Sequence, residues 1–454
     1  MKKIKTAFVV LAAGLGTRMK SNLPKVLHPV AGRPMIGYIL DRLKKFESQQ
    51  TLVIVPPDVP NIVDYVTPMK TVEQTAPLGT GHALLAARDN LKDFDGDVLV
   101  VFGDTPLLTK KTIESLLTAR RQRIDPAVVV LGFRPSNPGE YGRLVLDSEG
   151  ELEKVVEFSE ASDAQKEIKL CNAGIMAFDG KRLVSLLDAL NNDNSKEEYF
   201  LTDIVGIARQ KRWICSYVKT ENPKEVMGIN TLRELAEVEA EMQHRLRMKA
   251  MDDGVSLIDP DTVWFSYDTK IGKNVTIGQN VVFGFGVTIG DNVEIKAFSH
   301  LEGAVIADRA IIGPFARLRP GTVIGKEVRV GNFVEIKAAR LEGGVKASHL
   351  SYIGDSRVGA GTNIGAGVVT CNYDGFNKHI TEIGADVFIG TNTALIAPVK
   401  IGKGAFIGAG SVITKDVDEN SLAVSRAPQK ENAGWALKYR MGKLEKTKKT
   451  QKKA

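Results

Sequence analysis

The chain has 454 residues, 43% of them hydrophobic and 25% charged. It has no apolar run near the ~18 residues that cross a bilayer, which excludes a membrane span and predicts a soluble protein of two or three domains. The net charge of +7 is confined to the segment from Lys438 onward, where eight Lys/Arg stand against one Glu. The balanced remainder gives no nucleic-acid footprint. Cys171, Cys215 and Cys371 are odd in number, far apart and free of CxxC spacing. That argues against a disulfide framework or a zinc site and fits the reducing cytoplasm.

The start, "MKKIKTAFVVLAAGLG", imitates a secretory signal, but its apolar core is short and runs into a glycine loop, so it reads as a first β-strand. Over residues 1–229, strand-like runs ("AFVVLA", "TLVIV", "DVLVVF", "PAVVVLGF") alternate with helix-like stretches ("PMIGYILDRLKKF", "GHALLAARDNL"). Such alternation predicts an α/β Rossmann-like domain with a mainly parallel sheet, whose ligands bind at the carboxyl ends of the strands. Residues 230–250, free of Gly and Pro, predict a connecting helix.

Over residues 251–437 an apolar residue recurs every six positions, as in Ile271, Ile277, Phe283, Ile289, Ile295 and Leu301. Asn or Gly recurs at the fourth place of the hexad, where a tight corner needs it. Short strands between such corners, stacked three to a coil, form a parallel β-helix. The period breaks at Leu341–Ile353 and Cys371–Ile383, which read as loops inserted on a binding face. The segment 438–454 reads as a disordered, solvated tail.

The chemistry is less determined. "GLGTRM" after the first strand is a phosphate-cradling loop or merely a turn. Arg18 and Lys25 flank it as charges for a triphosphate or as surface cations. Asp104, after a strand, is a Mg²⁺ ligand or a helix cap, although Thr109 can fill the second role. His349 is a proton-accepting base or a loop histidine bonded to backbone. Arg319 and Lys337 are substrate contacts or solvated solenoid surface.

The stretches "LAAGLGTRM", "LPKVLHPVAG", "QTAPLGTGHA", "VVFGDTPLL", "EYGRLV", "CNAGIMAF" and "EEYFLTDIV" resemble the nucleotidyltransferases that activate sugar 1-phosphates. Together with "RLRPG", "GNFVEIKAARL", "SHLSYIGD", "NIGAGVVTCNYDG" and "AVSRAPQ" in the repeats, the chain resembles the bacterial bifunctional N-acetylglucosamine-1-phosphate uridyltransferase / glucosamine-1-phosphate acetyltransferase family. The resemblance implies a left-handed β-helix, a cytoplasmic homotrimer and a role in cell-wall precursor synthesis. It implies UTP, glucosamine 1-phosphate, N-acetylglucosamine 1-phosphate and acetyl-CoA as substrates, with Mg²⁺ as cofactor.

By the same resemblance Leu11, Ala12, Ala13, Gly14 and Lys25 hold UTP, with Arg18 and Lys25 catalytic. Gln74, Gly79 and Thr80 read uracil, and Phe102, Gly103 and Asp104, at the end of a strand, bind substrate, with Asp104 also a metal ligand. Asn230 is the second metal ligand, and Gly142, Glu157 and Asn172 hold the sugar. In the repeats His349 is the catalytic base, and Arg319, Lys337, Tyr352 and Asn363 bind the acceptor. Ala366, Asn372, Tyr373, Thr391, Ala409 and Arg426 bind acetyl-CoA. Leu15 stands where the family often has a basic residue, and Thr391 where it often has serine. Two rival readings are a uridylyltransferase whose β-helix is only an oligomerisation or allosteric module, and a non-catalytic regulatory protein. "CNYDG" with His349 speaks against the first; the intact glycine loop, Lys25 and Asp104 speak against the second.

Overall fold

The computed structural model describes residues 4–451, with side chains through Glu445. The chain divides into two compact units, one running to Asp252 and including Trp264–Asp268, the other formed by Asp253–Val263 and the chain from Thr269.

The first unit is built on seven strands: β1 (Thr6–Leu11), β2 (Gln50–Val55), β3 (Lys70–Glu73), β4 (Asp97–Phe102), β5 (Val128–Phe133), β6 (Cys171–Asp179) and β7 (Cys215–Lys219). Their order is β7-β5-β6-β4-β1-β2-β3, and only β6 runs against its neighbours. A hairpin, Arg143–Leu146 with Leu152–Val156, joins at the start of β6. Alternate residues of one strand feed two cores. Phe8 and Val10 pack with Ile36, Ile39 and Leu116 on one face, while Val9 packs with Leu84, Leu183 and Ile204 on the other. That is the period-two consequence of a sheet covered by helices on both sides. The helix expected as a connector, Leu232–Asp252, buries Val238 and Met242 in the first of these cores and so is part of this unit. Burial pushes the Cys171 thiol up and the Cys215 thiol up to about 12, which leaves both unreactive.

The second unit has three parallel sheets of ten, eight and eight short strands, each coil giving one strand to each sheet. Inward residues stack in register, as in Ile277, Ile295, Ile312 and Val330. The corners adopt a left-handed backbone, where Asn274, Asn280, Asn292, Asp386 and Asn392 have φ of 55–58°. Asn and Asp tolerate that conformation better than other side chains with a Cβ.

Leu341–Ile353 is not an insertion: Ala347, fully buried, takes the inward place midway between Leu341 and Ile353. A small residue hid an unbroken six-residue period. His349 therefore ends the strand Lys346–His349 rather than riding on a loop. Cys371–Ile383 does contain an added loop, folded on a bridge between Tyr373 and Lys378. The tail is solvated as expected but helical, from Trp435 to Gln451, with every described side chain exposed. Its Ala, Leu, Lys, Arg and Met residues are good helix formers. Residues 1–3 and the last three of the tail, 452–454, lie outside the described residues.

Candidate functional site

β1 delivers Leu11, Ala12 and Ala13, all buried, to the carboxyl edge of the sheet, where Ala12 N donates to Ile54 O at 2.8 Å. The chain then opens: Gly14 has free space where a Cβ would be, so a ligand can approach its backbone. Gly16 is constrained twice. Its φ is +64°, and a Cβ there would stand 2.7 Å from Cβ of Lys25. The loop thus closes onto the turn that carries Lys25. Arg18 is exposed and makes no ion pair among the described residues, while Leu15 projects into solvent.

Beside the loop, β4 ends at Phe102, Gly103 N donates to Leu11 O at 2.9 Å, and Asp104 follows. Thr109 caps the next helix, accepting from Thr112 N, so the cap reading of Asp104 is excluded. Lys25 Nζ lies against Asp104 Oδ2 and donates to Asn230 Oδ1 at 2.8 Å. An ammonium therefore sits where a carboxylate and an amide oxygen converge from three distant segments. Two hard oxygens at a largely buried point suit Mg²⁺, whose other positions go to water and phosphate. Glu234 holds Asn230 in place by accepting from the backbone N–H of Asn230 (2.7 Å) and Thr231 (2.8 Å). The sequence reading missed Glu234, although "TLRE" carries the Thr-x-x-Glu signature of a helix start.

The predicted base and sugar residues flank this point along the same edge. Gln74 follows β3, and its Nε2 donates to Gly79 O at 3.1 Å. Thr80 Oγ1 accepts from Leu201 N at 3.3 Å. On the other side Asn172 N donates to Gly142 O at 2.8 Å, and Thr202 Oγ1 donates to Glu157 Oε1 at 2.9 Å. Glu157 Oε2 is 3.4 Å from the place a Gly142 Cβ would take, so the three expected sugar contacts form one group. Arg143, also missed, is buried, donating to Gly139 O (3.1 Å), Tyr141 O and Lys166 O (3.2 Å) and lying over the Phe158 ring, 5.7 Å from its centroid. It fixes the loop that carries Gly142.

In the second unit the expected residues form two groups. His349, Ala366, Thr391 and Ala409, together with Asn332, which the sequence reading missed, each precede the same corner of successive coils, so they make one ladder along the solenoid. Its rungs are backbone bonds, Leu350 N to Asn332 O (3.0 Å), Asn392 N to Ala366 O (2.7 Å) and Gly410 N to Thr391 O (2.8 Å). Arg426 Nη1 reaches Ala409 O at 2.5 Å. His349 Nδ1 is 2.9 Å from Asn332 Oδ1. The His349 loop reading, bonded to backbone, is thus replaced by a strand-end histidine bonded to an amide.

The other group surrounds Lys337. Its Nζ is 3.8 Å from Asp355 Oδ2, which also accepts from Asn372 Nδ2, and Asn372 Nδ2 lies 3.5 Å from the Tyr352 hydroxyl. Tyr352 folds its ring over Gly354, where a Cβ would be 2.4 Å from the phenol oxygen. Lys378 was missed. The adjoining Lys337 ammonium, by hydrogen bond and then by charge, holds it below the usual lysine range. Two ammoniums against one carboxylate leave a net positive spot suited to an anion. Tyr373 is exposed on the added loop, its hydroxyl donating to Gly375 O at 2.5 Å. Arg319 pairs with Glu335 (2.8 Å), and Asn363 stands in register with Lys346; neither bonds to the Lys337 group.

Residues 8–171 match the MobA-like NTP transferase domain family, and 268–303, 303–338 and 380–415 match the six-repeat bacterial transferase hexapeptide family. The protein named bifunctional protein GlmU of Paramagnetospirillum magneticum is 55% identical over 97% of this chain and 98% of its own length. Its namesakes in Rhodospirillum rubrum and Zymomonas mobilis are 53% and 47% identical, over 96% of this chain and 97% and 98% of their own lengths. With both transferase domains present and identity running nearly end to end, the chain belongs to the bifunctional GlmU family.

Proposed function

We propose that the chain makes UDP-N-acetylglucosamine from glucosamine 1-phosphate, acetyl-CoA and UTP, with acetyl transfer at the β-helix and uridylyl transfer at the α/β sheet. The observation that carries this reading is the convergence of Lys25, Asp104 and Asn230 at the sheet edge beside an open glycine loop. The N–H groups of Ala13 and Gly14 approach the triphosphate, and Arg18 and Lys25 neutralise it. Asp104 and Asn230 would hold Mg²⁺, which supplies further charge neutralisation on the phosphates. Gly142, Glu157 and Asn172 fix the sugar so that its phosphate oxygen lies in line with the α-phosphorus of UTP. That oxygen forms the new bond, the α–β bridging bond breaks, and pyrophosphate leaves. The nucleophile is already ionised, so no base is needed.

At the solenoid the reactive group is an amine. Asn332 Oδ1 beside Nδ1 assigns the His349 proton to that nitrogen and leaves Nε2 as the base. Nε2 takes a proton from the glucosamine amine as the amine attacks the thioester carbonyl, and CoA thiolate leaves. Lys337 and Lys378 receive the acceptor phosphate, with Arg319, Tyr352 and Asn363 on the sugar side. Acetyl-CoA lies along the ladder of Ala366, Thr391 and Ala409 toward Arg426, with Asn372 and Tyr373 at the acetyl end.

The assembly is a cytoplasmic homotrimer through the β-helix. Its support is a ladder of exposed apolar residues at the His349 corner. Phe298, Phe315 and Phe333 stack at 4.9 and 5.2 Å, and Leu350 continues the row. All four adopt φ of 49–60°, an unusual backbone for bulky residues. Burial against another copy would remove this apolar corner from water. Light scattering checks the stoichiometry; an active monomer would refute it. Incubating the protein with glucosamine 1-phosphate, acetyl-CoA, UTP and Mg²⁺ tests the activity. UDP-N-acetylglucosamine should accumulate, and its absence would overturn the proposal.

A further inference from the structure

We infer that His82 sets the base selectivity of the nucleotide site by fixing the side-chain amide of Gln74. Gln74 is only 6% exposed, yet it lies at the sheet edge where the nucleotide loop ends. Its Nε2 donates to Gly79 O at 3.1 Å and faces His82 Nδ1 at 3.2 Å. A backbone carbonyl can only accept, so the nitrogen end of the amide is the one turned inward. His82 Nδ1 must then accept as well, which places the imidazole proton on Nε2. Both hydrogens of the amide nitrogen are used by the protein.

The consequence falls on the other end of the amide. Gln74 Oε1 accepts no hydrogen bond from any described residue, although the side chain is otherwise enclosed. The site therefore offers a bare acceptor at that point. Uracil carries an N3–H donor on its pairing edge, whereas cytosine carries a lone pair at N3. An oxygen that only accepts binds the first and repels the second, and buried polar mismatches of this kind discriminate strongly. Gly79 O alone would hold the amide by one bond; the second bond, to His82, opposes the rotation that would turn Nε2 toward cytosine. His82 is itself backed by the Tyr199 ring, with centroids 5.9 Å apart. Tyr199 is tied to the same loop through Tyr199 N to Leu78 O and Gly81 N to Tyr199 O, both 2.8 Å. His82 is thus a positioning residue, acting through Gln74 rather than on the base.

The inference rests on the uridylyl-transfer reading, and the test separates the two. The ratio of kcat/KM for UTP to that for CTP is measured in the wild type, in His82→Leu and in His82→Asn, whose amide oxygen can take the place of Nδ1. His82→Leu should lower the ratio about tenfold or more, mainly through better use of CTP, while His82→Asn should stay within about threefold of the wild type. Acetyl transfer by the same preparations reports intact protein. Should His82→Leu fail to fold, His82→Ser, too short to reach Gln74, replaces it. A ratio unchanged in the Leu or Ser variant, or lowered as far in His82→Asn, overturns the role of His82 alone. A wild type with no preference for UTP overturns the nucleotide reading itself.

Discussion

The two sites are assembled in opposite ways. In the α/β unit, Lys25, Asp104 and Asn230 meet although more than 200 residues separate the first from the last. Nothing repeats; the meeting point is set by where β1, β4 and the start of the Leu232 helix end. In the solenoid, Asn332, His349, Ala366, Thr391 and Ala409 meet because each holds the same place in its coil. A topological site concentrates unlike groups at one point and can gather charge around a metal. A ladder spreads residues along a line, and where its rungs are small, at Ala366, Thr391 and Ala409, it can seat an elongated coenzyme.

The sharpest way to break this comparison is Asp104→Ala. If the topological site depends on one convergence point, uridylyl transfer should fall about 10³-fold or more, since the change removes a carboxylate worth several kcal/mol to the transferred charge. Acetyl transfer should stay near normal. Pyrophosphate release measures the first and CoA release the second. Near-normal pyrophosphate release at ordinary Mg²⁺ would place the metal elsewhere.

The same contrast explains what the sequence disclosed. Four of the seven sheet strands were legible because each is an aliphatic run, whereas Lys70–Glu73, Cys171–Asp179 and Cys215–Lys219 mix polar residues among apolar ones; the hexads were legible because the period exposes most inward residues. Asp104 could be placed at a strand end from "DVLVVFGD". Its meeting with Asn230 came from family resemblance, because no local pattern encodes a contact across so much chain. Ala347 was misjudged since a methyl group satisfies an inward position without announcing itself as apolar. Lys378 and Asp355 escaped notice because their meaning depends on the added loop folding back toward Lys337, which period and composition do not show. Arg143 was missed because an arginine carries no burial signal in sequence; its carbonyl partners and the Phe158 ring explain its place. The tail helix was missed because absence of an apolar stripe argues against packing, not against helix.

His349→Ala tests the ladder. Acetyl transfer should drop on the order of 10²–10⁴-fold, the range for a positioned acid–base group. Uridylyl transfer from supplied N-acetylglucosamine 1-phosphate should not change, and acetyl-CoA should still bind, because the lower rungs remain. Asn332→Leu should retain part of the rate, since it frees the tautomer without removing the base. CoA release at saturating substrates is the measurement; a loss under threefold in His349→Ala would assign the proton to another group or to water.

A smaller effect is expected at Lys337. The adjoining ammonium holds Lys378 below the usual lysine range, so Lys378 loses its charge at a lower pH than an isolated lysine. Affinity for a sugar phosphate should weaken as pH rises through that lowered range, since the charged form is the one that binds. Lys337→Met removes one phosphate contact and should weaken binding about tenfold near neutral pH. It should also move the alkaline limb upward, because Lys378 then regains an ordinary pKa. Binding of N-acetylglucosamine 1-phosphate between about pH 7 and 10 reads this without interference from a substrate amine. An unmoved limb would show that the two lysines do not act as a pair.

The smallest effect is expected from the tail. The helix from Trp435 exposes Trp435, Leu437, Tyr439, Met441 and Leu444, whose spacing puts them on both sides rather than in one stripe. Such a helix has no single face to bury, and Trp435 and Tyr439 stack on each other at 5.1 Å instead. Ending the chain before Lys438 removes +7 of charge and leaves Arg426 and the whole ladder in place. Both activities should stay within about twofold of the full chain, and the oligomeric state should be unchanged. Acetyl-CoA affinity is the quantity to follow, because the coenzyme carries phosphates that a basic helix can attract at long range. A KM for acetyl-CoA that rises in low salt and not in high salt would show such attraction without contact. A rise at both salt concentrations would make the tail part of the coenzyme site, and the ladder would then no longer be complete within the coils.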